Sequence, residues 1–175
     1  MKEKCWSKTL LGVYSYLDTI ADAIDKITLK TALNSFYFSK SDYEKNNVLT
    51  ISNKLIDLSE RKITLINLKI IIEDTLMAMP KKDALILIAR YVNKQKIMDI
   101  AEKNLLSKRS IFRKISHAEE MFSNILLRKG YDSFRLKQML KNERWILNFH
   151  NDLMSKKSSD DFVISQNSLD KVVAL

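Results

Sequence analysis

Residues 97–122, Ile97-Met-Asp-Ile-Ala101-Glu-Lys-Asn-Leu-Leu106-Ser-Lys-Arg-Ser-Ile111-Phe-Arg-Lys-Ile115-Ser-His-Ala118-Glu-Glu-Met-Phe122, decide how this chain is read. Ile97, Ile100 and Ala101 fall at helical spacing and define the inner face of one short helix. Leu105 and Leu106 occupy a turn, and Ser107 stands where the next helix needs a capping oxygen. That second helix buries Ile111, Ile115, Ala118 and Phe122. Ala101 is small where two steeply crossing helices must touch. Opposite the buried stripe lie Arg109, Phe112, Arg113 and Ser116, with Lys108 and Ser110 at the helix start and Lys114 beside them. A helix with bases on the outer face of its first two turns fits the DNA major groove, N-terminus first. Arg pairs with guanine O6/N7 or with phosphate, and Phe112 suits a thymine methyl.

On the N-terminal side, Pro80 marks a boundary. Before it, Leu10, Val13, Leu17, Ile20, Ile24 and Ile27 recur at three- and four-residue steps, which predicts a helix from about Ser7 to the low thirties. A break is expected around Ser39-Lys-Ser-Asp42, with Ser41 or Asp42 capping a second helix over 43–79. Val48, Ile51, Leu55, Leu58, Leu65, Ile72 and Leu76 keep a nearly seven-residue rhythm there, and the two helices are expected to fold into an antiparallel hairpin. Ile63, Ile66 and Ile70 form a second apolar stripe, so this helix is expected to touch partners on two sides. The rhythm also permits self-association. On the other side, Gly130 sits where a helix C-cap is expected. One further helix is predicted from about Asp132 to Asn151, with Phe134, Leu136, Leu140, Trp145 and Phe149 on or near one face, and then a polar tail.

The basic residues concentrate in this region. Between Lys81 and Lys129 there are twelve bases and five acids, an excess of seven positive charges in a chain whose net charge is +9. A solvated lysine-rich face would look the same by composition. Their position within a motif points instead to a polyanion partner.

The residues here resemble a known family. Met79-Pro80, Arg90-Tyr91, Asp99-Ile100-Ala101-Glu102, Ser107-Lys-Arg-Ser110-Ile111 and His117-Ala118 are similar, without a gap from Met79 to Leu126, to region 4 of bacterial sigma-70-family factors. That resemblance implies a helix-turn-helix that reads duplex DNA at a promoter, with Lys108, Arg109, Phe112 and Arg113 in the reading role. It makes RNA polymerase an implied partner. Four departures stand out, one of them His117 where the family usually has Arg. Asn104-Leu105 replaces Leu-Gly, and Asn104 is expected to take the left-handed conformation at lower cost than Leu; Lys94 replaces a loop Gly; Lys96 stands in a capping position usually held by Ser or Thr. No counterpart of the region that melts the −10 element is present, so the resemblance covers a module and not a complete sigma factor.

The expected class is therefore all-α: a long N-terminal helical hairpin (1–79) for dimerisation or partner contact, a region 4-like helix-turn-helix (80–130), a C-terminal helix (131–154) and a flexible tail (155–175). Two Gly and one Pro in 175 residues favour helices over tight-turn architectures. The expected function is sequence-specific DNA binding in transcription control. Ser107 caps the reading helix, Arg109 and Arg113 meet bases or phosphates, and Lys94, Lys96, Lys108 and Lys114 neutralise phosphates. Two alternatives share the fold: a phage-type DNA-packaging component built into a ring, and an adapter that binds only protein.

Several classes are disfavoured. Cys5 is alone, so no internal disulfide forms; His117 and His150 are the only histidines, and neither lies at metal-ligand spacing. Glu73-Asp74 and Asp160-Asp161 read as solvated pairs, and no phosphate loop or nucleophile elbow occurs, so neither an enzyme nor a cofactor is expected. Trp6, Trp145 and Phe149 are expected to anchor the core or an interface rather than to stack on bases. No apolar run reaches the ~20 residues of a membrane span. Lys2 and Lys4 ahead of Leu10–Leu17, with Ala21-Asp-Ala23, mimic a signal peptide, but the helical spacing continues past the cut, and a cytoplasmic location is expected.

Overall fold

The structure, a computed structural model, describes residues 2–37 and 45–155, all of them in helices or short connections. Helix α1 spans Lys2–Tyr37, α2 Lys45–Met77, α3 Lys81–Leu87, α4 Ile97–Lys103, α5 Lys108–Arg128, α6 Ser133–Met139 and α7 Arg144–Ser155; a π-helical segment, Ile88–Val92, continues α3. No strand occurs among the described residues. The expected break at Ser39–Asp42 and the expected polar tail lie outside the described residues, the tail from residue 156 on.

α1 and α2 form the antiparallel hairpin, and polar side chains record its register. Tyr14 bonds Glu73 at 2.7 Å, Lys69 bonds Asp18 at 2.8 Å and Lys62 bonds Asp25 at 2.7 Å. The numbers rise along one helix by the step at which they fall along the other. Beneath these links, Leu10, Val13, Leu17, Ile20 and Ile24 meet Leu58, Leu65, Leu68 and Ile72, all buried. Val48, expected on this inner stripe, is exposed instead, as are Ile63, Ile66 and Ile70 on the outer side of α2.

The main core continues past Pro80. It takes in Ala84 and Leu87 of α3, Tyr91, and Ala118, Phe122 and Leu126 from the second half of α5, together with Leu136, Leu140 and Ile146. A smaller core joins Ile86, Ile97, Ile100, Ala101, Ile111 and Ile115. α5 thus belongs to both: its first half packs on α3 and α4, its second half on the hairpin. The amphipathic period of the sequence makes this possible, because a single apolar stripe runs the length of its 21 residues.

The single helix expected over 132–151 is two helices. Leu140 and Glu143 are fully buried in the connection between α6 and α7. Glu143 accepts from Arg61 Nε at 2.9 Å and from Trp145 Nε1 at 2.9 Å, while its backbone oxygen accepts from Ile146 and Leu147 at the start of α7. A continuous helix would turn this carboxylate away from its donors. Phe134, expected near the apolar face, is 75% exposed.

Trp6 and His150 hold the N-terminus of the chain against α7. Their rings stack with centroids 3.9 Å apart, and Trp6 Nε1 donates to Ser133 Oγ at 3.0 Å. Thr9 donates its hydroxyl proton to the Cys5 carbonyl, so its 3.0 Å contact with His150 Nδ1 has the ring as donor. Burial, with Lys137 nearby, lowers the His150 pKa below its ordinary value; burial pushes the Cys5 thiol up, away from the reactive thiolate.

Candidate nucleic-acid interface

Three helix ends shape this region, and each needs a residue with positive φ. At the end of α5 the amide of Gly130 bonds the Leu127 carbonyl and that of Tyr131 bonds the Leu126 carbonyl, a Schellman closure with Gly130 at φ +82°. The end of α4 closes the same way, Leu105 to Glu102 and Leu106 to Ala101, but here the left-handed residue is Leu105, at φ +53°. Asn104, expected in that role, stays at φ −98° and uses its side-chain amide to cap the Ile100 carbonyl at 2.7 Å. The physical reason is position: the residue after the cap must be left-handed, and that is 105. After the π-helical segment, Lys94 adopts φ +52° where the amide of Gln95 reaches back to the Ala89 carbonyl. Both sites at which the sequence lacks an expected Gly are thus left-handed anyway.

The turn at Leu105 directs α5. Leu106 packs against the smaller core while Leu105 is 93% exposed. Ser107 is the N-cap of α5, its oxygen accepting from the Ser110 amide at 3.2 Å and lying 2.8 Å from Ser110 Oγ. Ile111 and Ile115 then point into the smaller core, and one half-turn round the helix Arg109, Arg113 and Ser116 are exposed. Arg109 and Arg113 have no ion-pair partner among the described residues. Glu120, one turn further on, is also exposed, so the basic face is confined to the first turns of α5.

The remaining residues singled out by sequence divide into two groups. Lys108 is exposed with its ammonium 5.9 Å from the centre of the Phe112 ring; Phe112 itself is half-buried against the smaller core, on the flank of α5 instead of its outward face. Lys114 is exposed on the other flank, and Lys96 is exposed at the N-cap of α4 without a side-chain capping bond. Lys94 is engaged elsewhere: its ammonium donates to Tyr16 Oη at 2.7 Å and sits 4.2 Å above that ring, on the side of α1.

A buried polar link fixes this face to the hairpin, and sequence reading missed it. Glu119, on the inner side of α5, accepts from the Tyr91 hydroxyl and lies 3.7 Å from Lys8 Nζ, while its backbone oxygen accepts from Ser7 at 3.0 Å. Burial and the Glu119 charge push the Tyr91 pKa well above its ordinary value, so the phenol stays a donor. The signal was present: Glu119 falls inside the apolar stripe, between Ala118 and Phe122, where a carboxylate needs a partner. Comparison of the chain with protein-family models, with curated proteins and with solved structures finds no match.

Proposed function

We propose that this protein binds duplex DNA through the first turns of α5, as a sequence-specific regulator of transcription. The supporting observation is that Arg109, Arg113 and Ser116 are exposed opposite Ile111 and Ile115, on a helix whose inner side is held by α4 and, further along, by the hairpin. In this reading α4 and α5 are the two helices of a helix-turn-helix, consistent with the resemblance to sigma region 4. Arg109 and Arg113 supply the fork that pairs with guanine or clamps phosphate, Ser116 adds a neutral hydrogen-bonding group, and Lys96, Lys108 and Lys114 neutralise phosphates on either side. Phe112 serves mainly to hold the helix, since it is half-buried. The chemistry is binding, with the excess of positive charge over 81–129 providing the salt-dependent part of the affinity.

The test is equilibrium binding of the full chain to duplex DNA at several salt concentrations, beside Arg109→Ala/Arg113→Ala. The expected result is a fall in affinity of about 1–3 kcal/mol per lost base contact and a shallower salt dependence, by about one per phosphate contact removed. Unchanged affinity and slope would overturn the assignment. Retained cellular activity in that variant would favour a protein-only adapter.

A further inference from the structure

The outer side of α2 carries an apolar row that no described residue covers. Leu49, Ile56, Ile63, Ile70 and Met77 stand at uniform intervals of seven, each between 55% and 82% exposed, and Ile66 lies beside them. They face away from Leu58, Leu65 and Ile72, which pack on α1. On a straight helix, positions seven apart drift by about 20° per repeat, so a row kept over four repeats suits a second helix wound along this one. Of the polar residues flanking it, Ser52, Asn53, Ser59 and Asn67 are uncharged, Glu60 is an exposed acid, and Glu73 accepts from Tyr14. The nearby Asp74 is paired with Lys129. A helix that lies on a lipid surface carries Lys or Arg along its apolar edge, whereas the charges bordering this row on α2, Glu60, Glu73 and Asp74, are acidic.

We infer that a second copy of this chain covers the row, its α2 running antiparallel to the first about a two-fold axis at Ile63. The row is symmetric about Ile63, so reversal sets Ile56 against the partner's Ile70 and Leu49 against the partner's Met77. The six side chains expose roughly 700 Å² in one protomer, so mutual cover removes about 1,400 Å², inside the range of stable interfaces. Charge selects the direction. The excess of seven positive charges over 81–129 lies at the base of the hairpin. Parallel pairing would bring two such regions side by side; antiparallel pairing sends them to opposite ends of a seam about 40 Å long. This inference stands without the DNA reading.

Sedimentation equilibrium on the full chain tests it. The expected mass is about 41 kDa, twice the 20.4 kDa of one chain, falling to 20.4 kDa in Ile56→Asp/Ile63→Asp with helix content and melting of the protomer retained. A wild-type mass of 20.4 kDa across the micromolar range overturns the inference, as does a dimer that survives the double substitution. A monomer that dimerises only once residues 156–175 are removed overturns it too, by making the tail the occupant. For direction, in a Cys5→Ser background with oxidised glutathione, Ile63→Cys is expected to cross-link to itself. Leu49→Cys is expected to cross-link only when mixed with Met77→Cys. Self-cross-linking of Leu49→Cys would overturn the antiparallel arrangement.

Discussion

The Tyr91 hydroxyl donates to a carboxylate oxygen of Glu119, and this buried bond joins the π-helical segment after α3 to the middle of α5. With Lys8 on the other oxygen and Ser7 on the backbone, it sets the position of α5 relative to α1. Tyr91→Phe leaves the carboxylate with a half-exposed lysine as its remaining side-chain partner. The expected loss of stability is about 1–3 kcal/mol, the usual penalty for an unsatisfied buried group, read from chemical denaturation. Glu119→Gln, which keeps an acceptor for the phenol, should lose less than Tyr91→Phe.

Arg61 and Glu143 form the second buried ionic link, and here one partner is fully enclosed. Arg61→Ala strands the carboxylate with only the Trp145 indole as side-chain donor among the described residues. Loss of one side of such a pair costs up to about 3–5 kcal/mol, and the lower end is expected because Arg61 keeps some contact with solvent. The same substitution should loosen the α6–α7 connection, seen as faster amide exchange at Glu143 and Ile146 than in the wild type.

Leu105 has its side chain in solvent and its backbone in the left-handed region, where an L-residue with a Cβ costs roughly 1–2 kcal/mol. Leu105→Gly removes that cost, partly offset by the greater freedom of Gly in the unfolded chain. A net gain of about 0.5–1 kcal/mol is expected by thermal or urea melting, with none from Leu105→Ala. Lys94→Gly should gain less, because it also gives up the contact with Tyr16.

His150 makes stability depend on pH in a defined direction. Its folded pKa lies below the unfolded value near 6.5, so above that value both states hold a neutral ring. As pH falls through 6.5 the unfolded chain takes up a proton that the buried ring does not. Stability therefore declines until the lowered folded pKa is reached, and then this contribution levels off. His150→Phe keeps a ring against Trp6 but cannot titrate; denaturant midpoints at pH 8 and pH 5 should differ less in this variant than in the wild type.

The repeating part of the fold was open to sequence reading because apolar periodicity is local. The stripes on α1, α2 and α5, the boundary at Pro80, the cap at Ser107 and the Gly130 closure each depend on residues within one or two turns. What was hidden depends on distant partners. Glu143 breaks the C-terminal segment because Arg61, 82 positions away, awaits its carboxylate, and Glu119 is anchored by Tyr91 and Lys8. The left-handed residue after α4 is set by where the helix ends, so Asn104 was the wrong choice despite its tolerance. Within the candidate site, the exposure of Arg109, Arg113 and Ser116 follows from the period of α5. The engagement of Lys94 by Tyr16 and the half-burial of Phe112 do not, since both arise from neighbouring elements.

The central claim is that the outward face of α5 reads DNA sequence. Selection of bound fragments from a random duplex pool by the full chain tests it most directly. The account predicts enrichment of one short motif, abolished in Arg109→Ala/Arg113→Ala. Uniform recovery of all fragments, or recovery of none, would contradict it.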